Sequence, residues 1–299
     1  MNQLIECVPN FSEGRDGRVA DALAEQAGRV PGLLLLDATA DAHHNRSVLT
    51  LAGDERAVAE AAFLLCRRAA ELIDLRKHTG EHPRMGACDV IPFVPLSGAA
   101  MEDCADIARS VGQRIWEELK IPVYLYERAA AGPERANLAD IRRGGFEGLA
   151  EKMRLPEGKP DFGDAPHPSA GAVAVGARAP LIAFNVNLDT RDVSVAEKIA
   201  KIIRASGGGW AGCKAIGVRL GDKVQVSMNI TDYEKTPLYR VFETIRFEAA
   251  RYGAAVLESE VVGLLPAKAL ADSAAYYMRT AGYEFGKTIE GSLSRFSKS

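Results

Sequence analysis

The sequence predicts an α+β fold made of two β-α-β-β-α-β units, the ferredoxin-like split arrangement, related by duplication. Three observations point to it. Apolar residues alternate between strand and helix periods along the chain. The same element order occurs in both halves. Leu4-Ile5-Glu6-Cys7-Val8-Pro9-Asn10 also lies over Leu181-Ile182-Ala183-Phe184-Asn185-Val186-Asn187, each strand closing on an asparagine with an Arg-Asp pair shortly after. At 299 residues the chain is long enough for two ordinary cores. The expected division is 1–178 and 179–299.

In the first half, a strand is expected at Leu4 to Val8, a helix from about Asp16 to Gly28 and an apolar strand at Leu33 to Asp37. Another strand runs from Arg46 to Ala52, and Gly53-Asp54 opens a long alanine-rich helix reaching toward Ile73. After a polar loop come a strand at Val90 to Pro95, a helix from about Met101 to Leu119 and a strand at Val123 to Tyr126. Periodicity then weakens through a Gly/Pro-bearing stretch from Arg128 to His167. The second half starts after Pro180 with the Leu181 strand and a helix from about Val193 to Ser206. Strands follow around Lys214 to Leu220 and Val224 to Thr231, then a helix from Pro237 to Tyr252 and a strand at Val256 to Val262.

Composition excludes several classes. Hydrophobic residues are 47% and charged residues 26%, an ordinary globular mix rather than a disordered or fibrous one. With 37 basic against 40 acidic residues the formal charge is -3, and no long Lys/Arg block offers a nucleic-acid footprint. No targeting segment opens the chain and no apolar run reaches membrane-spanning length, so cytoplasmic residence is expected. The five cysteines, Cys7, Cys66, Cys88, Cys104 and Cys213, are scattered without metal-site or redox spacing and read as reduced thiols. Cys88 alone lies close enough to the polar loop to be weighed as a nucleophile; a buried small hydrophobe is its simpler reading.

The chemistry concentrates in His78-Thr79-Gly80-Glu81-His82-Pro83-Arg84-Met85-Gly86-Ala87-Cys88-Asp89. Two of the five histidines sit there beside an acid and an arginine, in a segment whose glycines and proline prevent helix continuation. The same breakers oppose a helical two-histidine metal site, Glu81 precedes rather than follows its histidine, and no third ligand stands at a fixed offset. No metal is expected. General acid-base catalysis is the better reading, with a histidine oriented by a carboxylate and an arginine holding an anion. His82, fixed before a proline, suits that role; His78, nearer the helix, suits a cap on the helix C-terminus.

Two further clusters suit a small anionic ligand. Pro9 to Asp16 joins the first strand to the first helix, where free backbone N–H groups favour a carboxylate. Asp37 to Arg46 places more polar groups at a strand end than a hairpin needs. The alternatives are a plain capped helix start and a solvated loop.

Cys7-Val8-Pro9-Asn10-Phe11-Ser12-Glu13-Gly14, the Asn45-Arg46 pair, the His78 to Gly86 loop and the Leu181 to Leu188 strand together resemble the formiminotransferase family. The resemblance runs from the start to about Tyr277. It implies transfer of a formimino group between N-formimino-L-glutamate and tetrahydrofolate as co-substrate, with His82 as the catalytic histidine. It further implies paired ferredoxin-like halves, a homodimer and folate held between the halves. The family's folate-contacting loop corresponds to Asp161 to Gly171, where Gly163, Pro168, Ser169 and Gly171 match. Ala170 stands where animal members carry a bulky aromatic, which removes a ring expected to stack on the pterin. With the chain ending near Ser299, no cyclodeaminase domain is expected, and a separate protein would take the product onward.

Those implied reactants suit the residues. An amidine-like carbon attacked by a secondary amine gives a tetrahedral species, and one histidine can accept the proton of the attacking nitrogen and return it to the departing one. Glu81 or Asp89 would tune the imidazole. Asn10, Asn45 and Arg46 are expected to bind substrate, and Arg84, Arg46 and Arg178, in that order, to meet glutamate's carboxylates. Competing readings are the same chemistry on formiminoglycine or 5-formyl-folate, a metal-dependent formiminoglutamate hydrolase, and a folate-binding module without catalysis.

Overall fold

A computed structural model describes residues 3–42, 44–80 and 83–296. The chain forms two compact units, Met1–Arg178 and Ala179–Ser299. Both combine helices with a sheet, in keeping with the α+β class.

In the first unit, β1 (Leu4–Cys7) and the short β2 (Asn10–Phe11) lead to α1 (Gly17–Gly28), β3 (Leu34–Asp41), β4 (Arg46–Gly53), α2 (Glu55–Leu72) and β5 (Cys88–Ser97). The Asp16 side chain accepts from Arg18 N at the start of α1, and Asp54 accepts from Ala57 N at the start of α2. The unit continues with α3 (Met101–Leu119), β6 (Val123–Glu127), the short α4 (Leu138–Ile141) and α5 (Leu149–Lys152), and β7 (Val173–Ala177).

Strand β4 pairs with β3 on one side and with β1 and β2 on the other, and both of those pair with β5, all antiparallel. Beyond β5 the sheet turns parallel, through β7 to β6. Strands β2 and β7 were not expected. Pro9 follows the predicted first strand, and a second short strand begins at Asn10. Strand β7 is a five-residue run of valine, alanine and glycine with little β signal of its own. Its place is decided by β5 and β6 on either side.

Alternation on β5, β6 and β7 divides their side chains between two cores. Ile91, Phe93, Val123, Leu125, Val173 and Val175 face the helices. Val90, Tyr124, Tyr126 and Ala174 pack instead with Ile141, Leu149 and Met153 of the segment joining β6 to β7. That connector, irregular by sequence, covers the opposite face of the parallel strands.

The second unit runs β8 (Ile182–Leu188), α6 (Val193–Ile203), β9 (Cys213–Leu220), β10 (Lys223–Ile230), α7 (Leu238–Arg251) and β11 (Val256–Val262). The order is the predicted β-α-β-β-α-β, with β8 and β10 central in an antiparallel β11-β8-β10-β9 sheet. Ile182, Phe184, Val186 and Leu188 alternate into the core with Val224, Val226, Met228 and Ile230. Two further helices, α8 (Ala267–Met278) and α9 (Ile289–Phe296), extend the unit beyond the predicted elements.

Candidate functional site

Parallel pairing of β5 with β7 places the loops preceding both strands at one end of the sheet. There the histidine loop meets the 161–171 loop. Leu75 N donates to Ser169 O at 2.9 Å, Ala87 N to Ala170 O at 2.9 Å, and Ala172 N to Met85 O at 3.0 Å. Gly86 and Gly171 pair across this contact. A Cβ on Gly171 would sit 2.0 Å from Met85 O, and one on Gly86 2.1 Å from Ala172 O, so the approach requires glycine on both sides. Gly163 closes against Trp116 and Pro122 at the start of β6.

Asn45 ties three segments together. Buried, and left-handed at φ 50°, it accepts from Gly14 N through Oδ1 at 2.9 Å and donates through Nδ2 to Thr79 O at 2.9 Å. Its carbonyl faces His78 Nε2 at 3.1 Å. Asparagine tolerates this backbone region better than most residues, which explains an Asn at the turn. The adjoining Arg46 donates through Nε to Asn10 Oδ1 at 3.0 Å and through Nη2 to the same oxygen. Burial draws the Arg46 guanidinium down to about 10, with Asp89 opposing the shift and Arg142 adding to it.

Asp89 is 2% exposed. One of its oxygens accepts from Met85 N at 2.7 Å and Gly86 N at 3.2 Å, and the other meets Arg142 at 2.8 Å. Arg142 also donates to Pro83 O. Arg84 donates to His78 Nδ1 at 2.9 Å and forms a two-pronged pair with Glu147 at 2.7 and 3.0 Å. Phe11, Ser12, Asn45, Arg46, His78, Arg84 and Asp89 line a small recess of about 10 Å³. Ligand pockets span about 300–1,000 Å³, so this recess is the floor of a site rather than a whole one.

Asn10, Asn45, Arg46, Arg84 and Asp89 are thus brought together, and Gly171 and Ser169 adjoin them through the loop contact. Glu81 and His82, the predicted proton-transfer pair, lie outside the described residues. Arg178 does not join the group. Its backbone N–H donates to Phe93 O, five residues along β5 from Cys88 and so about 16 Å away by strand rise. There it acts electrostatically on Glu6 and Tyr126.

Several expectations change. His78 does not cap α2: the helix ends at Leu72 and His78 lies beyond a further turn, bonded instead to Asn45 and Arg84. Asp89, expected to tune an imidazole, fixes loop backbone and Arg142. The N–H groups after the first strand are not held open for a ligand, because Gly14 N is taken by Asn45, Arg15 N and Asp16 N by Glu13, and Arg18 N by Asp16. Cys88 is buried, and its thiol is pushed well up by burial and by a hydrogen bond with Cys66, which argues against a nucleophile. Ala170 is 2% exposed and packs into the main core, so this position is not placed to stack on a ligand ring.

Sequence reading missed Arg142 and Glu147, and gave Ser12 no role of its own. Ser12 Oγ donates to Gly86 O at 2.7 Å and pins the loop to β2. Arg142 and Glu147 come from the connector, where no periodicity marks them. Among the described residues no group of three or more His, Cys, Asp and Glu side chains forms a metal-binding cluster, and no helix is long and apolar enough to cross a membrane.

Residues 4–178 match the formiminotransferase domain, N-terminal subdomain, and residues 183–288 match the formiminotransferase domain. The chain belongs to the formiminotransferase family. Among the members it resembles is a glutamate formimidoyltransferase from Streptococcus pyogenes serotype M1, 55% identical over 97% of this chain and 98% of that one. A glutamate formimidoyltransferase from Thermoplasma acidophilum is 49% identical over 98% of each chain. The formimidoyltransferase-cyclodeaminase of Rattus norvegicus is 46% identical over 93% of this chain and 53% of its own length. Within the formiminotransferase family this chain therefore matches the stand-alone members end to end and the fused member over about half.

Proposed function

We propose that this protein is a glutamate formimidoyltransferase, carrying the formimino group of N-formimino-L-glutamate to tetrahydrofolate and releasing L-glutamate and 5-formimino-tetrahydrofolate. The end-to-end identity with stand-alone relatives of that name carries the reading. Under it the chain is a duplication of ferredoxin-like units divided at 178/179. It works as a cytoplasmic homodimer, and a separate cyclodeaminase takes the product onward.

In the reaction, the folate's secondary amine attacks the formimino carbon and the glutamate nitrogen leaves from the tetrahedral species. His82 accepts the proton of the attacking nitrogen and donates it to the leaving one, with Glu81 beside it. Arg46, half-buried and bonded to Asn10, supplies positive charge for a substrate carboxylate. The 161–171 loop, through Gly163, Pro168, Ser169 and Gly171, contributes to the folate side, with the exposed Pro168 at its surface. Arg84 and Asp89 serve the loop rather than the substrate.

The test is a transfer assay with formiminoglutamate, run with and without tetrahydrofolate and in the presence of chelator. Folate-dependent, chelator-resistant formation of formimino-folate supports the reading; folate-independent, chelator-sensitive hydrolysis overturns it. His82→Ala is expected to lower turnover by about 10²-fold or more while folate binding persists, and undiminished turnover would remove His82 from the mechanism.

A further inference from the structure

Both ring nitrogens of His78 already have partners, and those partners select its tautomer. Arg84 Nε lies 2.9 Å from Nδ1, and a guanidinium is a donor without acceptor capacity, so Nδ1 must present its lone pair. Nε2 lies 3.1 Å from the Asn45 carbonyl, which only accepts, so Nε2 must carry the hydrogen. Each contact independently selects the same neutral tautomer. A proton on Nδ1 would face an N–H of Arg84.

Arg84 is held in turn. Its other two nitrogens take both oxygens of Glu147, and its carbonyl accepts from Phe146 N at 2.9 Å. The Arg84 hydrogen bond is the main cause of the lowered Glu147 pKa. The bend carrying Glu147 is made by Gly144 and Gly145, both left-handed, and a Cβ on Gly145 would come 3.2 Å from Arg84 O. Connector and loop therefore meet through side chain and backbone together. Among the described residues, the charged groups lining or adjoining the recess beyond Arg84 and Glu147 are Arg46, Asp89 and Arg142.

We infer that Glu147, acting through Arg84, is a positioning residue that locks His78 in the Nε2–H tautomer, so that His78 and Asn45 hold the near end of the histidine loop. This rests on the proposed transferase reading for its functional consequence, though not for its structural content.

The experiment uses the full chain labelled with ¹⁵N-histidine, with ring-nitrogen shifts assigned by His78→Gln. His78 is expected to show a single Nε2–H pattern, and Glu147→Ala to convert it to a mixture of tautomers. In that variant turnover should fall between about 10- and 100-fold, the scale of a small misplacement of catalytic groups, with KM changed less than about twofold. Arg84→Lys should not restore the pattern, because an ammonium cannot bond the imidazole and grip Glu147 in the same fork. An Nδ1–H pattern in the unmodified protein, or a pattern unmoved by Glu147→Ala, overturns the inference. Since the tautomer is read by NMR, absence of transfer activity would fail the functional reading alone and leave this readout standing.

Discussion

The first strands of the two units open alike and diverge at one residue. In the second unit β8 runs unbroken and Asn187 stays in the ladder, where its side chain donates to Glu258 at 3.1 Å and accepts from Gln225 at 3.0 Å. In the first unit Pro9 follows the first strand, Asn10 turns its amide back to Val8 O at 2.7 Å, and its Oδ1 is left to receive Arg46. The same residue type thus serves a cross-strand polar ladder in one sheet and a guanidinium seat in the other. The sheets differ similarly in extent. The second stops at four strands, while the first adds the parallel β7 and β6 and the connector that delivers Arg142 and Glu147 to the loop. Two units whose first strands open alike become structurally unequal where one strand is interrupted and one sheet extended.

This comparison can be broken most forcefully at Asp89. Asp89→Ala strands the Arg142 guanidinium and two loop N–H groups in a buried setting, and is expected to destabilise the first unit by about 3–5 kcal/mol. Glu258→Ala, removing the exposed pair with Lys223 in the second unit, should shift unfolding far less. Urea unfolding distinguishes the units, because Trp116 reports the first and Trp210 the second. Equal midpoint shifts would contradict the inequality of the two polar faces.

A smaller effect separates two left-handed glycines. Gly171 has φ +69° with Met85 O in the path of a Cβ, whereas Gly221 has φ +60° in open space. Gly221→Ala is expected to cost about 1–2 kcal/mol from backbone conformation alone. Gly171→Ala should cost more and lower transfer activity as well, because Met85 and Ala172 must separate. Matching losses at the two sites would mean the loop contact is not tightly constrained.

The smallest effect concerns Glu6, whose counterpart in the aligned second strand is Ala183. Burial raises the Glu6 carboxyl, with Arg178 offsetting part of the rise. A raised acid carries a stability penalty that grows as pH climbs from its ordinary value near 4.5 through the higher native one, then stays constant. Glu6→Gln is therefore expected to raise the melting temperature at pH 8 and leave it nearly unchanged at pH 4. An equal shift at both values would refute burial as the cause.

Much of the fold was legible because periodicity reports burial directly. Most strands and α1, α2, α3, α6 and α7 follow from apolar spacing, and α1, α2 and α6 also carry an Asp cap one residue before the helix. The histidine loop, Asn45 and Arg46 were legible for a different reason: too many titratable groups occupied segments that needed only turn residues. What periodicity could not reach was β7, whose small residues become a strand only when β5 and β6 close around them. Nor could it reach Arg142 and Glu147, more than 50 residues from the loop they hold.

The sequence by itself determined the two-unit α+β order, the family and the candidate loop, because local spacing and a dense run of titratable residues survive without knowledge of contacts. Only the tertiary structure decided which groups remain available. It directs Arg84 to Glu147 and His78, Asp89 to loop backbone and Arg142, and the N–H groups before α1 to the chain's own acceptors, while placing Arg178 elsewhere along the strands. The physical reason is that buried donors and acceptors must be satisfied, and the partner of each is fixed by what the folded chain brings within about 3 Å rather than by its neighbours in sequence.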